Sequence, residues 1–185
     1  MTLAPETEGS FPIRSSPAVF LDGFRHRVAD GLLTGHPHPR SNYVIAESGP
    51  ALLRVRAADW WTAMNVGLND LELRVAQPGS VRYRVRYWRW AAFAIGLSGI
   101  LGIIGLVLLL TLDARGYIAR NMHTMIPGLS VDQNVLVAWA MVGFWGFVWP
   151  WLLIALHKKP LRRLIGRLVG EVDSAMVGDT ARAHY

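Results

Sequence analysis

Two stretches of 22 residues without a charged side chain decide most of what this chain can become: Ala91 to Leu112, AAFAIGLSGILGIIGLVLLLTL, and Val135 to Leu156, VLVAWAMVGFWGFVWPWLLIAL. A helix rises about 1.5 Å per residue and the hydrocarbon core of a bilayer is about 30 Å thick, so about 20 apolar residues cross it. Each stretch meets that length. A buried helix of a water-soluble core ordinarily keeps a polar stripe, whereas Ser98 and Thr111 are the only polar side chains in these two runs. The pattern predicts a membrane hairpin of two transmembrane helices.

Charge placement predicts its orientation. Arg74, Arg82, Arg84, Arg86 and Arg89 precede the first stretch, and Lys158, Lys159, Arg162, Arg163 and Arg167 follow the second. The connecting segment 113–134 carries only Arg115 and Arg120. Basic residues favour the cytoplasmic side of a span, so both termini are expected in the cytoplasm, with the connecting loop on the far side of a bacterial inner membrane. Trp88, Trp90, Trp149 and Trp151 lie toward that same side, where indoles favour the headgroup level. Met1 to Pro12 holds no basic residue and no apolar run of signal-peptide length, so the first span is expected to act as its own uncleaved insertion signal. Arginine outnumbers lysine 17 to 2, a compositional hint of a GC-rich bacterial genome.

Ahead of the spans the chain reads as a small α+β head. Residues 1–15 are polar and are expected to be disordered. In 16–40, Ser16 and Pro17 suit a helix start, Phe20, Phe24, Val28 and Leu32 recur on one face, Gly35 suits the stop, and His36, Pro37, His38 and Pro39 form a linker. From 41 to 90 the period changes to two: YVIAE, ALLRVRA, DLELRVA and VRYRVRYW predict an antiparallel sheet, with Pro78 and Gly79 in a turn. DWWTAMNVG between them fits either a short helix capped by Asp59 or another strand. Alternation puts Leu53, Val55, Leu71, Leu73, Val75, Val81, Tyr83 and Val85 on one face. The other face receives Arg54, Arg56, Arg74, Arg82, Arg84 and Arg86 with the single acid Glu72, and so is expected to be strongly basic. So small a core is expected to lean on the 17–34 helix, on Trp60 and Trp61, or on a second copy.

After the second span, Leu161, Leu164, Ile165, Leu168 and Val172 make an apolar stripe, with Arg162, Arg163 and Arg167 off it. Residues 157–185 are therefore expected to hold a basic amphipathic helix, following Pro160 and lying in the cytoplasmic interface, and a loose tail. Within the first span Ala91, Ala94, Ser98, Gly102 and Gly105 follow steps of three and four, beside Gly96 and Gly99; the second span offers Gly143 and Gly146. Small residues let helices approach closely, which favours packing within the hairpin over a homo-oligomeric seam. Pro150 is expected to kink the second span by freeing the carbonyl of Gly146.

No motif carries chemistry. His26, His36 and His38 lack a fixed fourth donor for a metal, and His123 in the loop has no paired carboxylates around it. Phosphate-cradling, nucleophile-elbow and zinc-protease motifs are absent, cysteine is absent, and no ionisable group interrupts the spans. The expected role is non-catalytic and without a cofactor: an interaction, assembly or accessory subunit, or an auxiliary chain of a transporter or membrane enzyme whose active site lies elsewhere. The basic face and Arg162, Arg163 and Arg167 suit anionic headgroups or a protein partner. Nucleic acid is disfavoured, because Tyr83 falls on the face opposite the arginines.

Overall fold

The computed structural model describes residues 4–33, 43–77, 79–122 and 125–182. They divide into two compact units, Met1–Ala91 with Leu156–Tyr185, and Ala92–Ala155.

The first unit is an antiparallel sheet with helices on one face. Strands β1 (Glu6–Pro12), β2 (Tyr43–Ser48), β3 (Leu52–Ala57), β4 (Asp70–Gln77) and β5 (Ser80–Arg86) lie in the order β1-β5-β4-β3-β2. Helix α1 (Pro17–Gly31) falls in the chain between the two edge strands, and α2 (Trp60–Val66) joins β3 to β4. The alternation read from the sequence holds: Leu53, Val55, Leu71, Leu73, Val81, Tyr83 and Val85 are at most 2% exposed. Phe20, Leu21, Phe24 and Val28 of α1 fill the core over this inner face. Each such side chain contributes about 1.5–3 kcal/mol on burial.

Two segments expected outside the head belong to it. Residues 6–12, expected to be disordered, form β1 and pair with β5 in the register Glu6↔Arg86 to Pro12↔Ser80. The strand has little apolar content of its own. What holds it is the backbone ladder on β5 and the place Gly9 leaves for a ring: a Cβ there would stand 2.8–3.0 Å from Tyr83 ring and hydroxyl atoms. Phe11 then stacks on Tyr83 with centroids 5.1 Å apart.

The second correction concerns the helix after the second uncharged run. It is part of α6 (Trp149–Arg182), with Pro160 inside the helix rather than ahead of it. Leu161, Ile165, Leu168, Val169 and Val172 are buried in the head and not laid on a membrane surface. Gly166 faces the Phe11 ring, Met176 fills the space beside Gly23 of α1, and Arg27 pairs with Glu171 at 3.2 Å. An amphipathic stripe specifies an apolar neighbour without naming it; here the neighbours are β1 and α1. Asp173 closes the corner between β1 and α1, its carboxylate accepting the backbone N–H of Arg14 (2.9 Å) and of Ser15 (2.9 Å) and the Ser15 hydroxyl (2.6 Å).

Local chemistry settles the remaining elements. The stretch 59–67 is a helix: the Asp59 carboxylate accepts the Thr62 N–H, and Gly67 ends α2 at φ +72. Helix α1 stops at Gly31, which takes φ +108, ahead of the predicted stop at Gly35. Gly35 lies outside the described residues. Trp60 and Trp61, predicted as support for the core, are 44% and 71% exposed.

The second unit contains most of α3 (Trp88–Thr111), then α4 (Ala114–Arg120), α5 (Val131–Gly143), a π-helical turn at Phe144–Val148 and the start of α6. Two helices are long and apolar enough to cross a membrane. They meet at Gly102 and Gly146, where a Cβ on Gly102 would lie 2.7 Å from the Gly146 Cα. The π turn falls directly before the Trp149–Pro150 pair, where proline removes the donor that would have bonded the Gly146 carbonyl. In the connecting segment Asp113 caps α4, and Ser130 with Gln133 forms a reciprocal cap on α5.

Candidate functional site

The sheet's outer face is where the predicted arginines come together. Register arranges them in three rows across the strands. The first runs Glu6, Arg86, Asp70, Arg56; the second runs Glu8, Arg84, Glu72, Arg54, Glu47. Both alternate in sign from strand to strand, the arrangement that favours cross-strand pairs. Arg54 bonds Glu72 at 2.9 Å and Glu47 at 2.5 Å, Arg56 bonds Asp70 at 3.3 Å, and Arg84 bonds Glu6 at 2.8 Å. Burial acts to raise the Glu72 pKa, but hydrogen bonds from Arg54 and Arg74 outweigh it and hold the carboxyl below its ordinary range.

The face is therefore not the strongly basic surface that alternation within single strands predicted. Against its six arginines the register sets five acids, Glu6, Glu8, Glu47, Asp70 and Glu72, so the net charge among the described residues is one positive. Glu6 and Glu8 fall in a segment expected to be disordered, although Glu6, Glu8 and Ser10 alternate with Thr7, Gly9 and Phe11. A two-residue period that tolerates one glycine was the available signal.

The excess charge sits in the third row, Ser10, Arg82, Arg74, Leu52. Arg74 and Arg82 are directly opposite one another, a like-charge pairing that costs stability. Arg74 also bonds Glu72, while Arg82 has no ion pair among the described residues. Glu8, Ser10, Glu72, Arg74, Arg82 and Arg84 line an open trough of about 490 Å³. A planar guanidinium there can take a carboxylate or phosphate in two parallel hydrogen bonds.

Other predicted residues fall elsewhere. Arg162, Arg163 and Arg167 are exposed on α6, a helix of the inner face, and do not join the sheet arginines. Among the small residues of the spans, Gly102 meets Gly146 and Gly105 meets Val142, whereas a Cβ on Gly96, Gly99 or Gly143 would have nothing within 4 Å. Ala94 is buried and Ser98 half-buried. His26 is exposed, with Nε2 3.6 Å from Asp22; His36, His38 and His123 lie outside the described residues. Among the described residues no three of His, Asp and Glu come together as metal ligands could.

No protein-family model matches the chain, and comparison with curated proteins and with solved structures finds no match.

Proposed function

We propose that this chain is a non-catalytic, two-span protein of the bacterial inner membrane whose cytoplasmic head docks a protein partner through the outer face of its sheet, in an assembly or accessory role. The bilayer is crossed by 91–112 and 135–156, and the ten basic residues flanking these runs, against two in the connecting segment, support cytoplasmic termini. The observation that carries the docking reading is the charge pattern of a sheet face that no helix covers among the described residues: two rows of alternating sign beside a like-charged pair, Arg74 and Arg82, of which only Arg74 has an acid partner. Alternating charges reward one partner in one orientation and penalise others. An anionic leaflet rewards net positive charge instead, and this face has little. A second reading, an anionic headgroup held at the third row, rests on Arg74 and Arg82 alone.

The test is purification of the tagged full chain in mild detergent, read by native mass beside the Arg74→Glu, Arg82→Glu double variant. A companion at fixed stoichiometry, lost from a variant that melts at the wild-type temperature, supports docking through this face, and the companion's chemistry names the process. A lone chain, or a companion the variant retains, refutes it. Loss of co-purified anionic lipid without any protein companion selects the second reading.

A further inference from the structure

Helix α2 is seven residues long and carries two adjacent tryptophans that the fold leaves outside its core. Trp61 is 71% exposed and Trp60 44%, and Trp88, whose ring meets that of Trp60, is 47% exposed. Trp60 and Trp88 bare two touching rings, and Trp61 bares a third on the same short helix as Trp60; exposed apolar rings of this size mark a contact surface. The patch has a definite location in the head unit. The Trp60 ring meets the Trp88 ring edge-on, with centroids 6.1 Å apart, and the Arg89 guanidinium lies 5.8 Å from the Trp60 ring centre and 5.5 Å from that of Trp88. Trp88 is the first residue of α3, and the uncharged run begins three residues later at Ala91.

The fold holds α2 in this place at both ends. Asp59 accepts the Thr62 N–H at 2.7 Å and its hydroxyl at 2.9 Å. At the other end Gly67, in the left-handed region, donates its N–H to Ala63 and lies against the ring of His157, which in turn stacks on Trp90 at 4.1 Å. Trp60 is thus fixed beside the first turn of α3, with Trp61 next to it in α2. If α3 enters a bilayer at Ala91, their indoles stand at the level of the headgroups, where an apolar ring with one N–H donor is favoured. Arg89, held between two rings, supplies a cation for lipid phosphate.

We propose that Trp60 and Trp61, with Trp88 and Arg89, form a patch that seats on phospholipid headgroups, making α2 a third contact of the chain with the bilayer besides its two spans. This rests on reading α3 as a span, so the experiment must separate the two ideas. The chain has no cysteine, and single-cysteine variants of the full chain can each carry one environment-sensitive fluorophore. Trp61→Cys, Leu101→Cys in the middle of the first run and Asp22→Cys on the exposed side of α1 are reconstituted in phosphatidylcholine vesicles. Quenching by lipids spin-labelled at the headgroup or deep in the acyl chain is compared with quenching by aqueous iodide.

The label at 61 is expected to be quenched severalfold more by the headgroup label than by the deep one, and to be shielded from iodide relative to position 22, while the label at 101 responds most to the deep quencher. A label at 61 as open to iodide as position 22, with 101 still deep, overturns the patch and leaves the spans standing. A label at 61 shielded from iodide and from both lipid quenchers also overturns it, because a protein surface then covers α2. A label at 101 open to iodide removes the spanning reading and this inference with it. Trp60→Cys, read in the same way, guards against a local effect at 61.

Discussion

Replacing Gly102 by leucine tests the approach of two helix backbones in the second unit. A Cβ on Gly102 would stand 2.7 Å from the Gly146 Cα, 3.3 Å from a ring carbon of Phe147 and 3.4 Å from the Gly146 carbonyl carbon. Carbon atoms pack at about 3.5–4.0 Å, so the helices must part by about 1 Å to admit even this first carbon, and a gap of about that size forfeits a quarter to a half of each contact's attraction. The obstacle is backbone on both sides, because a Cβ on Gly146 would lie 2.5 Å from the Gly102 Cα. No rotamer change relieves it. Overpacking of this kind costs about 1–3 kcal/mol, which at about 1.4 kcal/mol per factor of ten lowers the ratio of packed to parted hairpins about 5- to 150-fold. Helix association in lipid rests on such packing, so the loss is not made up by hydrophobicity. The assay uses the neighbouring pair: a Cβ on Gly105 lies 3.7 Å from the Val142 Cβ, within the disulfide range of about 3.5–4.5 Å. In this cysteine-free chain Gly105→Cys with Val142→Cys should oxidise to an intramolecular cross-link, and adding Gly102→Leu should slow it, by up to that factor, without changing the amount of membrane-inserted chain. An unchanged cross-linking rate would refute the reasoning.

Two further expectations concern the head. Asp173→Ala leaves the backbone donors of Arg14 and Ser15 without their partner and should cost about 2–6 kcal/mol in chemical denaturation, at about 1–3 kcal/mol for each donor left unmet; a loss below about 0.5 kcal/mol would mean that water replaces the carboxylate. Burial pushes the Asp173 pKa up, but hydrogen bonds from Ser15 and from the Arg14 backbone outweigh it and hold the group below the ordinary carboxylate range. A lowered folded-state pKa stabilises above the unfolded value of about 3.9 and ceases to do so as pH falls through the folded value, so the gap between wild type and variant should close below pH about 4. Gly9→Val should drive the Tyr83 ring from its place and cost about 1–3 kcal/mol, with amide exchange rising first along β1; exchange that rises evenly across the sheet would count against a strand held at this one point.

What a reader of the sequence sees depends on how far apart the interacting groups lie along the chain. The uncharged runs, the period-two strands and their apolar face are local patterns, and the structure keeps them because burial of alternate side chains leaves a strand no other register. The alternation that places Arg54 and Arg56 on one face also places Leu53 and Val55 on the other. Strand pairing is not local. Glu6 meets Arg84 across 78 positions, so the neutralisation of the outer face cannot be read from either strand alone. Ser15 and Asp173, bonded across 158 positions, look in sequence like an unremarkable loop residue and an unremarkable helix residue.

The helix after the second span and the pair Trp60–Trp61 mark the same division from opposite sides. A stripe of Leu161, Ile165, Leu168 and Val172 demands an apolar neighbour, and tryptophans in a small domain suggest a core; both demands are present in the sequence. Which demand the head meets is decided by volume. The inner face of the sheet has room for α1 and the end of α6, so the stripe is buried and the two indoles are left outside. By itself the sequence determined the two membrane-length helices and the strands from β2 to β5 with the apolar face of β3, β4 and β5, because each follows from side-chain spacing along a few consecutive residues. Tertiary structure alone decided which helix covers the sheet, which charges cancel and which aromatic rings remain free, because those outcomes depend on competition among distant segments for one limited apolar surface.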